Sequence, residues 1–229
     1  MHALSATELL SVWESGSNQI PLQRALSILA AGSPEISSDS LAHLTIGQRD
    51  TRLLALRERT FGSELTGLTD CPECGEKIEL SLNCSDLATG RENEPSAELA
   101  VPSNGREVRF RLPTSADLLA VNSPEQLLER CLLSGGNHLT QDFVAAAGEK
   151  MSNADPMADI HLALNCPSCE HKWMAPFDIV AFLWREISAA ARRLVREVHT
   201  LASAYGWTES EILALSPVRR RAYLEMIGA

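Results

Sequence analysis

The spacing of apolar positions divides the chain into stretches with different periodicities. Over the first 70 residues they recur at three- and four-residue steps between turns, which predicts short helices. Ser5 or Thr7 can cap a helix over 8–14, and Pro21 suits the first turn of a helix over 22–31. Thr45 can cap a third, through Gln48, Leu53, Leu54 and Leu56, that ends near Gly62. After Cys74 the pattern switches. Lys77-Ile78-Glu79-Leu80-Ser81-Leu82 alternates apolar and polar, as a strand with one buried face does. Residues 85–97, with Gly90, Pro95 and many charges, read as a loop. Alternation resumes at 108–112 behind Asn104-Gly105, a pair that supplies the positive φ of a tight hairpin turn. Helices are expected at 115–121, 124–133 and 140–151, and a short strand at 161–164.

From Pro176 onward the periodicity is strongest. Phe177, Val180, Leu183, Ile187, Ala191, Leu194, Val198, Leu201 and Tyr205 form one apolar stripe. That predicts a helix of about 28 residues and about 42 Å. Gly206 ends it, and two short helices follow at 208–214 and 217–227, capped by Thr208 and by Ser216 with Pro217. The expected fold is α+β and mostly helical. It has a helical N-terminal region (1–70), a middle region of strands with an inserted hairpin and helices (71–176), and a C-terminal helical segment (177–229).

Two turns of the middle region carry chemistry. Cys71-Pro72-Glu73-Cys74 and Cys166-Pro167-Ser168-Cys169 share the pattern Cys-Pro-x-Cys. A two-residue gap lets both sulfurs of a turn face one point, and two such half-sites complete the tetrahedron that zinc prefers. Each pair leads into a strand, at 77–82 and 172–177, which is the layout of a zinc ribbon. The 91 residues between Cys74 and Cys166 make it an interrupted ribbon. A redox Cys-x-x-Cys pair, unrelated buried thiols and iron–sulfur ligation are the alternatives; the first two sit poorly with two matching turns. Cys84 and Cys131 lack a partner at ligand spacing, and Cys131 reads as a buried helix residue. His171 reads as an exposed turn histidine or as a donor beside the metal.

Charge narrows the partner class. Against 20 basic groups stand 30 acidic ones, a net of -10, which argues against a nucleic-acid-binding face. The three regions carry -3, -8 and +1, so the C-terminal segment stands apart. Trp207, Tyr223 and the run Arg219-Arg220-Arg221 there can form a knob that docks on a partner. Equally, the aromatics can close the chain's own core and the arginines can complement a helix dipole. The N-terminus shows no basic-then-apolar secretory pattern, and no stretch reaches the roughly 18 apolar residues of a spanning helix. A cytoplasmic protein with reduced thiols and no membrane partner is the expectation. No nucleophile elbow, phosphate loop or zinc-protease helix is present, so no small-molecule substrate or enzymatic activity is expected.

Several segments together resemble the baseplate hub assembly family of contractile-tailed phages and phage-tail-like contractile injection systems. They are Asp50-Thr51-Arg52-Leu53-Leu54-Ala55-Leu56-Arg57, Phe61-Gly62, the first cysteine pair, Arg109-Phe110-Arg111-Leu112-Pro113-Thr114 and the helix with Cys131, within roughly residues 41–180. Tyr205-Gly206-Trp207-Thr208-Glu209-Ser210-Glu211-Ile212-Leu213-Ala214-Leu215 is similar to a segment of small tail proteins. The resemblance implies a non-enzymatic assembly factor or structural component, possessing no catalytic residue and binding other baseplate or tail-hub proteins. The competing readings are a zinc-ribbon adaptor in transcription or RNA metabolism and a thiol oxidoreductase. The acidic charge counts against the first, and the absence of a strand–Cys-x-x-Cys–helix order against the second.

Overall fold

Four helices bury their apolar stripes against one another. They are α1 (Ala6–Gly16), α2 (Pro21–Gly32), α4 (Ile46–Phe61), which follows a short α3 (Ser38–Ala42), and the 27-residue α9 (Ile179–Tyr205). In this computed structural model, which describes residues 1–87, 98–103, 106–134 and 140–228, their shared core contains Leu9, Ile28, Leu29, Leu53, Leu56, Leu183 and Ile187. Helices 1 and 4 begin at capping boxes, Ser5 with Glu8 and Thr45 with Gln48. Helix 9 begins where Asp178 Oδ1 accepts from the amides of Val180 and Ala181 at 2.9 and 3.0 Å. It ends at Gly206, whose φ of 68° suits a residue without Cβ. Close approach also dictates composition here: a Cβ on Gly16 would stand 2.7 Å from the Trp184 ring.

Between α4 and α9 the chain is mixed α/β with three small antiparallel sheets among the described residues. The first is the hairpin β1 (Glu64–Asp70) and β2 (Lys77–Asn83), followed by the helical turn α5 (Cys84–Leu87). The second joins β3 (Leu99–Ser103), β4 (Arg106–Phe110) and β5 (Leu132–Ser134) in that order. The third is the hairpin β6 (His161–Asn165) and β7 (Lys172–Pro176). Most of the expected strands and helices form. The expected helix at 124–133 stops earlier, because Leu132 is extended and pairs with Phe110. The expected Asn104-Gly105 turn and most of the expected 85–97 loop lie outside the described residues; 84–87 is helical.

The second sheet belongs to an insert with α6 (Ser115–Leu119), α7 (Pro124–Cys131) and α8 (Gln141–Ala154). Its own core joins Val101, Val108, Leu112, Leu128 and Ala147 around Phe110 and Phe143, whose rings meet edge to face with centroids 6.2 Å apart. Asp117 is the polar hub, taking Arg111 at 2.6 and 2.9 Å, Arg130 at 3.2 Å and the Thr114 hydroxyl at 2.8 Å. The insert is tied to the helices where the Gly47 amide donates to Asp155 Oδ2 at 2.9 Å. A Cβ at Gly47 would collide with that carboxylate.

Two short helices follow α9, α10 (Glu209–Ala214) and α11 (Pro217–Met226). They fold back on it: Ile212 is fully buried and Leu213 packs against the main core.

Candidate metal centre

The tips of the first and third sheets are the two cysteine turns, and they are built alike. In the first, Asp70 pairs with Lys77, the Cys71 amide donates to Glu76 O at 2.8 Å and the Gly75 amide to Cys71 O at 2.9 Å. In the second, Asn165 pairs with Lys172, the Cys166 amide donates to His171 O at 2.9 Å and the Glu170 amide to Cys166 O at 3.0 Å. Gly75 and Glu170 hold the same place in their turns, and both are left-handed, at φ 73° and 59°. Leu65 and Leu82 on one hairpin, and Leu162 and Ala175 on the other, form inward-facing cross-strand pairs. They line a shared groove of about 480 Å³ that Phe182 of α9 closes.

This repetition brings the four sulfurs together. Cys71 Sγ lies 3.7 Å from Cys169 Sγ, Cys74 Sγ lies 3.6 Å from Cys166 Sγ, and all four fall within 4.8 Å of one another. A disulfide needs about 2.05 Å, so these are free thiols. Zinc–sulfur bonds of about 2.3 Å at tetrahedral angles put neighbouring sulfurs about 3.8 Å apart. The set therefore fits one tetrahedral ion, with Cys71 and Cys166 buried beneath it and Cys74 and Cys169 exposed.

The electrostatics favour a cation. Amides of Cys169 and Ser168 draw the Cys166 thiol down to about 7. Burial opposes ionisation of Cys71, yet the Cys74 and Glu73 amides prevail and lower it. The other two sulfurs cannot follow: the Glu76 amide favours a Cys74 thiolate, but burial and the Cys166 and Cys71 sulfurs push that thiol up. The His171 amide favours a Cys169 thiolate, but burial and the three neighbouring sulfurs push that thiol up to about 12. Four thiolates would crowd one another, and a dication held among them would relieve that repulsion. With all four positions taken by sulfur, such an ion has no site left for water or substrate.

The other candidate side chains are not among the clustered ligand atoms, although the His171 backbone belongs to the second cysteine turn. His171 stacks on Trp173 at 5.8 Å. Cys84 is buried and its sulfur accepts from Arg57 Nη1 at 3.8 Å; Cys131 is buried in the insert, which pushes its thiol up to about 11. In the C-terminal helices Trp207 stacks on Tyr205 at 4.6 Å and meets Tyr223 edge-on at 4.9 Å. Arg219 and Arg221 are exposed, the latter paired with Glu225 at 3.2 Å. Arg220 turns inward, to Glu197 of α9 at 3.0 Å and Leu215 O at 2.7 Å, so the three arginines do not share a face. Sequence reasoning missed the ion pair of Arg57 with Glu186, 2.6 Å long, which joins α4 to α9. Four arginines lie in α4, at 49, 52, 57 and 59, and nothing in the sequence marks which of them pairs with α9.

A family model described as T4 bacteriophage base plate protein matches residues 7–134. The match takes in the helices before the first hairpin, that hairpin with Cys71 and Cys74, and the insert as far as β5. Cys166, Cys169 and α9 lie beyond it. No curated protein and no solved structure matches the chain.

Proposed function

The chain belongs to the T4 bacteriophage base plate protein family, and on that premise we propose that it is a non-enzymatic assembly factor or structural component of a phage-tail-like baseplate or hub. One zinc, held by Cys71, Cys74, Cys166 and Cys169, closes an interrupted ribbon from the two hairpins. Its partners are other baseplate or tail-hub proteins, met through the C-terminal helices. Trp207 and Tyr223 are the apolar anchors there, Arg219 and Arg221 the outward cations, and Arg220 the strut that holds α11 on α9. The family match is the observation that carries the baseplate role. The close-packed sulfurs support the metal, and a filled coordination shell supports a structural use of it. No helix among the described residues is long and apolar enough to cross a membrane.

Co-expression with the sheath, tube and hub proteins of the same tail, followed by size-exclusion chromatography, tests the role. A stable complex with one of them, weakened by Arg219→Glu with Arg221→Glu, is the expected result. Association with RNA polymerase or ribosomal proteins instead would point to the adaptor reading and overturn this one.

A further inference from the structure

The outward face of α9 carries a row of basic side chains. Leu183, Ile187, Ala191 and Leu194 point into the core. At 3.6 residues per turn, Arg185, Arg192, Arg196 and His199 fall on the opposite side, with Ala189 between the first two. All five are exposed and follow one another at alternating steps of four and three residues. The stripe is about 21 Å long.

The helix has no acid to spare for it. Glu186 is held by Arg57, Glu197 by Arg220 and Arg193, and Asp178 caps the first turn. Arg185 reaches only the Ala181 carbonyl and the Phe182 ring. The guanidinium groups of Arg192 and Arg196 have no hydrogen-bond or ion-pair partner among the described residues. Like charges four residues apart repel along a helix, so this face opposes the helix that carries it. It does so in a chain whose net charge is -10, where spare carboxylates are plentiful.

We infer that this stripe is a docking face for an acidic α-helix of another protein, lying along α9 with carboxylates at the same three- and four-residue steps. Guanidinium groups pair bidentately with carboxylates. Ala189 leaves room for the partner's backbone to approach, and three- and four-residue steps are how two helices mesh. A nucleic-acid duplex is the poorer occupant, because phosphate binding draws on a broad positive field and this molecule is acidic overall. The surface is separate from the four cysteines and from the aromatic cluster of the C-terminal helices.

The test uses the full chain and two synthetic peptides of one composition. One is an alanine- and glutamine-rich helix with glutamates at alternating four- and three-residue steps; in the other the glutamates are distributed around the helix. Fluorescence anisotropy at low salt should show the patterned peptide binding about tenfold tighter, with the difference shrinking as salt rises. Arg192→Glu with Arg196→Glu should abolish the preference, and Arg192→Gln with Arg196→Gln should reduce it, with circular dichroism unchanged. Arg219→Glu with Arg221→Glu should leave it intact. Equal binding of the two peptides, or a preference that survives Arg192→Glu with Arg196→Glu, would overturn the inference. So would tighter binding of a DNA duplex, or a salt-sensitive dimer of the chain lost in that variant, which would make a second copy the occupant.

Discussion

Arg57 of α4 grips Glu186 of α9 with two parallel hydrogen bonds, Nε to Oε2 at 2.8 Å and Nη2 to Oε1 at 2.6 Å, across 129 positions of sequence. The same guanidinium donates to Gly62 O at 2.7 Å and to Cys84 Sγ, so one buried cation fixes the end of α4, the start of the first hairpin and the turn after it. Arg57 lies within the residues that match the family, and Glu186 beyond them. Arg57→Ala should cost about 3 kcal/mol, because Glu186 is left without its partner in a mostly covered site. Arg57→Met with Glu186→Leu should recover much of that. Urea unfolding of the four proteins measures both, and a single-mutant loss below about 1 kcal/mol would reduce the pair to an ordinary surface bridge.

The metal reading predicts about one zinc per chain in protein purified without added metal. Cys71→Ser and Cys166→Ser should each lose the ion and lower the unfolding midpoint, because binding is coupled to folding. Elemental analysis with thermal unfolding decides it. A folded chain without metal, or a Cys71–Cys74 disulfide in the native protein, would sink the idea.

Asp117 should make stability depend on acid. Arg111 donates two hydrogen bonds to its carboxylate and, against partial burial, holds it well below the usual carboxylate range, with Thr114 helping. A depressed folded pKa means that the stabilisation is present above the unfolded value of about 3.9 and is lost as pH falls below it. The gap in unfolding free energy between the native chain and Asp117→Asn should therefore be widest near neutrality and narrow below about pH 4. A gap independent of pH would show that Asp117 acts only through packing.

Consecutive arginines in α11 should behave differently. Arg220→Ala breaks the contacts to Glu197 and Leu215 O and should destabilise the fold by about 2 kcal/mol. Arg219→Ala and Arg221→Ala, both exposed, should shift it by less than about 0.5 kcal/mol. Equal losses at the three positions, measured by denaturant unfolding, would contradict this.

Where periodicity was strong, the sequence was readable. The apolar stripe of α9 and the caps at Ser5, Thr45, Thr208 and Ser216 are local signals, and the structure uses each. β1 was missed for a local reason too: its inward positions are Leu65, Gly67 and Thr69, so a glycine stands where alternation calls for an apolar side chain. β3 was obscured by Pro102. Matching turns foretold that the four cysteines could meet, since identical local geometry at two hairpin tips is visible in the chain. Which of three adjacent arginines faces inward was not visible, because that depends on where α11 lands on α9. The family resemblance is borne out, with a different span: the match covers residues 7–134 where the resemblance lies over roughly 41–180, so it takes in the N-terminal helices and stops before the second cysteine pair.

Gly75 and Glu170 occupy one left-handed position in two copies of a turn, and only one copy meets it with glycine. The left-handed conformation costs a residue with a Cβ about 1 kcal/mol. The hairpin of Cys71 and Cys74 is thus the readier half of the cluster, and the hairpin of Cys166 and Cys169 is the half that must be held in shape. If the cluster takes up a metal in steps, the sulfurs made earlier in synthesis would capture it first and hold it until the later pair arrives. Glu170→Gly should make that second step faster without moving any sulfur.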